Sequence, residues 1–219
     1  MDVALKFFDV NTVAFTIIGY HMSYIEFLGT IFYLWSVWLI ARRQMLTWPV
    51  GIISVILYLF LFYQIRLYSD ALEQLYYLGA SVYGWWYWKR DSGQVGQTSQ
   101  EKICLSTPGL RLAWGAGTLV LAVLLSMVVS RLHLIVPAIF TEPASFPFLD
   151  ALTTVMSFTA MFLMARKYLE SWIYWIIVDL IGTGLYFVKG VKFLSLLYLI
   201  LLGIAIKGWV DWRNCMKKQ

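Results

Sequence analysis

Apolar runs of about 20 residues, the length that crosses a hydrocarbon core of about 30 Å as a helix, alternate along the chain with short polar breaks. They fall at 24–41, 48–65, 71–88, 111–130, 148–165, 172–189 and 193–212. The pattern predicts an all-α membrane protein with seven transmembrane helices in a single membrane domain over 1–219. Ahead of the first run, residues 1–22 carry Asp2, Lys6, Asp9 and Asn11 beside an apolar stretch too short to cross. That segment has neither the charged start nor the small-residue cleavage site of a signal peptide, and a helix lying in the membrane interface is expected there.

Between Asp70 and Arg90 the pattern is finer. Gln74, Tyr77, Ser81, Gly84, Trp85 and Trp88 recur at steps of three and four, so polar and aromatic groups share one stripe of an otherwise apolar rod. Such a stripe suits the lining of a cavity. Gly84, Trp85, Trp88 and Lys89 return as Gly208, Trp209, Trp212 and Arg213, a constant separation of 124 residues. The match runs on without a gap: Thr30 with Thr154, Ala41 and Arg42 with Ala165 and Arg166, Trp48 with Trp172, Gly79 with Gly203. Leucines would match by chance in so apolar a chain, but these tryptophans and glycines would not. The expected layout is three plus one plus three: a three-helix repeat over 23–90, a linker with the fourth span over 91–146, and a second repeat over 147–213. With one span between them, both repeats enter the membrane in the same sense, the parallel-repeat architecture of some transporters.

Composition supports the membrane reading, since 61% hydrophobic and only 13% charged residues, with mean hydropathy +0.72, cannot cover a soluble globule. Of the 17 Lys and Arg residues, twelve fall on the side that holds the C-terminus and five on the other. The excess of basic residues in cytoplasmic loops therefore places the C-terminus inside and the N-terminus outside. Topology accounts for the net charge of +5, and no continuous basic face suggests a nucleic-acid partner. Cys104 and Cys215 fall on the cytoplasmic side at no metal-ligand spacing, so neither a disulfide nor a metal site is expected, and no cofactor. His21 and His133 lie outside the hydrocarbon and are read as solvated.

Polar groups within a span are costly in lipid and are the first candidates for function. At 1.5 Å per residue from Trp88, Trp172 and Trp212, Trp85 and Trp209 lie roughly 4 to 5 Å in, Ser81 and Asp179 about 10 Å, Tyr77 and Thr183 about 16 Å, and Gln74, Tyr186 and Tyr198 about 21 Å. Trp175, Asp179, Thr183 and Tyr186 also share one face of the sixth span. The repeat partners of Asp179 and Thr183 are Val55 and Leu59, and those of Tyr77 and Ser81 are Leu201 and Ala205. Function is thus expected where the two halves differ. The expected solute site is Gln74, Tyr77, Ser81, Trp175, Asp179, Thr183, Tyr186 and Tyr198, with Trp85, Trp88 and Trp209 as gate. Aromatic walls with converging acid, amide and hydroxyls suit a small hydroxylated aromatic or cationic solute, and the absence of mid-span Arg or Lys disfavours phosphate. Trp48, Trp172 and Trp212 read as interface belts, Gly84 and Gly208 as close-packing positions, Glu26 and Asp150 as solvated caps. Against rival classes, Lys207 is too near the inner end for a retinal Schiff base, and a hydrolase would need a nucleophile and base at depth.

S-Y-I-E-F-L-G-T at 23–30, L-Y-S-D-A-L-E-Q-L-Y-Y at 67–77, Y-G-W-W-Y-W at 83–88, F-L-D-A-L-T-T-V-M-S at 148–157, L-M-A-R-K-Y-L-E-S-W at 163–172 and L-Y-F-V-K-G at 185–190 resemble the PnuC family of bacterial nicotinamide riboside transporters. The resemblance covers nearly the whole chain, with Ser54 standing where many members have Asn. It implies a SWEET-like fold in the bacterial inner membrane. It further implies facilitated diffusion of nicotinamide riboside by alternating access, with trapping by cytosolic phosphorylation in NAD salvage. A related vitamin such as thiamine is the alternative solute, and a seven-helix photoreceptor or sensor a remote one. The lipid bilayer and the small-molecule solute are the partners implied; a homo-oligomer, a trimer among the options, is left open.

Overall fold

The computed structural model describes residues 8–17, 19–65, 68–92, 103–131, 134 and 146–218. His133, Pro137 and Pro143 of the outer linker, most of the inner linker and the first seven residues lie outside that set. Seven helices follow a short hairpin: α1 (Tyr24–Ala41), α2 (Thr47–Gln64), α3 (Tyr68–Ser92), α4 (Pro108–Val129), α5 (Pro147–Ala165), α6 (Glu170–Val188) and α7 (Lys192–Met216). Six are long and apolar enough to cross a membrane. The exception, α3, has 25 residues but carries Asp70 and Glu73 near its start and Lys89 and Arg90 near its end.

Residues 1–7, where part of the expected interfacial helix falls, lie outside the described residues; nearer α1 a hairpin stands in its place. Residues Val13–Ile17 (β1) and Tyr20–Ser23 (β2) pair antiparallel. Val13, Phe15 and Ile17 alternate with the smaller Ala14 and Thr16, and Gly19 takes φ +79° at the turn, which favours a hairpin over a helix. Thr16 Oγ1 and His21 Nδ1 bond across it at 2.8 Å, so His21 is exposed but engaged. The hairpin is fastened to the end of the bundle where α1 and α7 start and α2 ends. Tyr20 donates to Glu26 Oε1 at 2.6 Å and stacks on Phe193 at 5.3 Å, while Gln64 donates to Phe8 O and accepts from Val10 N–H. Asp150 pairs with Lys189 at 3.7 Å, so Glu26 and Asp150 both have partners rather than water alone.

Sequence neighbours pack in order: α1 on α2, α2 on α3, α4 on α5, α5 on α6, α6 on α7. Two further seams close the bundle, α1 against α7 and α3 against α5. Small polar residues draw the helices together, as Ser54 donates to Gly29 O and Thr47 to Ser36 O between α1 and α2, and Ser195 donates to Thr183 O between α6 and α7. The Ser54 hydroxyl, 1% exposed, thus closes onto backbone. α4 stands at the periphery, held by Thr118 against Thr159 and by Trp114 on Phe162.

Trp48, Trp172 and Trp212 correct the sequence reading. They are not interface belts but, with Trp88, the largest fully buried side chains, each no more than 2% exposed. The reason is glycine: a methyl group at Gly84 would overlap the Trp48 ring, and one at Gly208 would meet the Trp172 ring at 2.6 Å. Each glycine leaves a slot that an indole fills. Trp48 meets Trp88 edge-on at 5.3 Å, Trp172 meets Trp212 edge-on at 5.6 Å, and Trp88 meets Trp212 at 6.3 Å. Trp88 Nε1 donates to Ala165 O across the α3/α5 seam, and Trp212 Nε1 donates to Ile40 O across the α1/α7 seam.

Candidate functional site

Outward of the tryptophans the middle of the bundle changes character. Asp179 on α6 is 4% exposed, and among the described residues no donor or cation pairs with its carboxylate. Tyr33 from α1 and Tyr198 from α7 lie within electrostatic reach of it. Tyr77 from α3 lies near both tyrosines and within hydrogen-bonding reach of Ser157 on α5. All three tyrosines are half-buried between helices. Three helices thereby bring phenols together, two of them beside the acid of a fourth.

Tyr198 is held in place from two directions. Its ring stacks on Tyr186 at 5.4 Å and 19°, and Gly182 leaves room for it, since a Cβ there would meet the ring at 2.6 Å. Thr183 spends its hydroxyl on Asp179 O, one turn back in its own helix, at 2.7 Å. Gln74 is half-buried and among the described residues reaches only Asp70 O, at 3.5 Å, so its amide retains bonding capacity. Ser81 is buried on the same stripe of α3. Trp175 packs beneath the site, against the inner core.

The expected gate divides. Trp88 lies in the buried quartet at the seam of both halves; Trp209 is half-buried against the same core, under Arg213 at 5.1 Å; Trp85 turns outward, 40% exposed. Trp85 therefore leaves the polar stripe on which sequence placed it, because one helical step separates Gly84, which faces Trp48, from its neighbour.

Sequence reasoning passed over Tyr33 and Glu73. Glu73 accepts from Thr154 at 3.0 Å, one turn from Tyr77, and Tyr76 donates to Phe158 O at 2.7 Å, so the α3/α5 seam is hydrogen-bonded along its length. An acid near the start of the third span was the available signal for Glu73. Nothing in the pattern of α1 singled out Tyr33, whose importance comes from the tertiary approach of α7. Two further donors, the indole N–H groups of Trp48 and Trp172, are buried without a partner among the described residues.

The model of one family, the nicotinamide mononucleotide transporters, matches residues 23–214. The chain belongs to that family. The nicotinamide riboside transporter PnuC of Escherichia coli is 33% identical, over 92% of this chain and 90% of that one. The riboflavin/roseoflavin transporter RibM of Streptomyces davaonensis is 30% identical over 93% and 91%. The crystal structure of the vitamin B3 transporter PnuC superposes with TM-score 0.66, at 24% identity, over 87% of this chain and 81% of that chain. Membership makes the protein a multi-pass membrane transporter of small molecules and not an enzyme. The quoted stretches from 23 to 190 lie inside the matched region, and the PnuC resemblance read from them stands.

Proposed function

We propose that the chain carries nicotinamide riboside across the bacterial inner membrane by facilitated diffusion, with phosphorylation in the cytosol preventing return. The observation that carries the choice is the buried Asp179 carboxylate facing Tyr33 and Tyr198, with no cation mid-span. Phenol faces attract a pyridinium ring, an unpaired carboxylate complements its charge, and Gln74, Ser81 and Thr183 supply polar partners for a ribose. A phosphate would meet no cation there, and the Asp179 carboxylate would repel it. The family's description names the mononucleotide and its PnuC members name the riboside; the charge distribution favours the riboside. RibM supports flavin as a second reading, since a neutral isoalloxazine could also stack between tyrosines.

The architecture in this reading is three plus one plus three, SWEET-like, with α3 as a true span. What supports it is the arrangement of seams: α1 on α7 and α3 on α5 exchange under the offset of 124 residues, as a two-fold axis along the membrane normal requires. The Trp88–Trp212 contact closes the inner end, and transport rocks one half against the other to part it. Trp209 borders this gate. The C-terminus is cytosolic and the N-terminus external, from the twelve-to-five division of basic residues.

Calorimetric titration of the purified protein with nicotinamide riboside, its mononucleotide, thiamine and riboflavin tests the substrate. Binding of the riboside alone is expected, and equal affinity for the mononucleotide contradicts the reading. A cysteine appended after Gln219 should resist an impermeant reagent in intact cells; labelling there reverses the orientation.

A further inference from the structure

The turns after α1 and α5 match bond for bond. Gln44 and Tyr168 N–H donate to Leu39 and Leu163; Thr47 and Ser171 to Gln44 and Tyr168; Trp48 and Trp172 to Met45 and Leu169. Arg43 and Lys167 share a left-handed backbone, φ 60° and 59°. They part at one place. Lys167 C=O accepts from Cys104 N–H at 3.1 Å and Leu169 N–H donates to Cys104 C=O at 3.0 Å, so residues 103–106 lie as a parallel bridge along the second turn. Ile103, 4% exposed, fills the inner core with Ala165 and Leu169, and Ser106 N–H bonds Glu170 at 2.8 Å.

In the first turn the equivalent groups are Arg43 C=O and Met45 N–H, and among the described residues neither has a backbone partner. Arg43 lines a recess of about 740 Å³ together with Ala41, Arg42, Asp211, Asn214, Cys215 and Lys218, and Met45 packs against the core beside it. Buried Ala41 stands where Ala165 stands under Ile103. Three cations face one carboxylate, and Leu46, the counterpart of Glu170, is 49% exposed.

We infer that this edge docks an extended acidic peptide segment of a partner protein. Its backbone pairs with Arg43 and Met45 as Cys104 pairs with Lys167 and Leu169. An apolar side chain sits over Ala41, and carboxylates face Arg42, Arg43 and Lys218. Backbone groups of a strand-like edge are strong obligatory bonders, so pairing supplies affinity while side chains and charge supply selectivity. A free anion would use the cations but leave the backbone pair idle, which is why a peptide fits better than phosphate. That the partner is cytosolic rests on the orientation proposed above; the docking does not.

The test is fluorescence polarisation of labelled peptide acetyl-EEISLSE-amide, patterned on Ile103, Leu105 and Ser106 with acidic flanks, against the full-length protein in detergent. Saturable binding is expected, weakened about tenfold or more when the amide of the peptide's first serine, the Cys104 equivalent, is N-methylated, and by a similar factor in the double variant Arg42→Glu, Lys218→Glu. Methylation changes only the probe, so it is independent of the protein's folding. Absence of saturable binding overturns the site. Binding that survives methylation but fails in the charge-reversed protein overturns backbone pairing and leaves an anion site. Binding lost on methylation yet intact in the charge-reversed protein overturns the acidic character of the partner.

Discussion

The inner end and the middle of this bundle are built from the same aromatic chemistry to opposite effect. At the inner end four tryptophans are fully buried, two of them bonded across both seams, and each half repeats the other with a glycine behind an indole. In the middle, tyrosines retain accessible surface around an acid without a counter-charge, and the halves differ: Asp179 opposes Val55, Tyr77 opposes Leu201. Packing fills one region with indoles and leaves the other with half-buried phenols around an uncompensated acid. Stability should therefore reside where the halves agree, and recognition where they diverge.

The comparison can be broken by substitutions that move the wrong quantity. Trp88→Ala empties the largest volume at the seam and removes the bond to Ala165, and should lower stability by about 3 to 5 kcal/mol, read as a fall in thermal midpoint in detergent. Gly84→Ala and Gly208→Ala force an indole out of its slot and should each cost about 1 to 3 kcal/mol. Riboside affinity of whatever folds should be near wild type; a selective loss of affinity would move the site inward. Gly182→Ala presses on Tyr198 and should weaken binding by about tenfold at an almost unchanged midpoint. Thr154→Val leaves Glu73 without its donor and should cost about 1 kcal/mol of stability with a smaller effect on affinity.

The helices were legible in sequence because lipid demands long apolar runs with internally bonded backbone, and all seven lie within a few residues of the expected ranges. The hairpin was not, because a five-residue strand carries little periodic signal and its pairing depends on Gly19. Asp179, Tyr77 and Tyr198 stood out in sequence as polar groups within spans, at depths of about 10, 16 and 21 Å. Tyr33 was not, since an aromatic residue in an apolar helix looks the same facing lipid or facing another helix until the bundle is in place. The burial of Trp48 and Trp172 was equally hidden: a tryptophan near a span end reads as a belt unless the glycine of another helix is known to face it.

The most direct test concerns the charge at Asp179. Asp179→Asn keeps shape and an acceptor but removes the charge, and relieving a buried unpaired acid should leave the folded protein as stable or more so. Calorimetric titration should show affinity for cationic nicotinamide riboside falling by ten- to a hundred-fold, about 1.5 to 3 kcal/mol, while affinity for a neutral nucleoside such as inosine changes little. Equal losses for both ligands would assign Asp179 to the ribose hydroxyls, and unchanged affinity for the riboside would contradict the site.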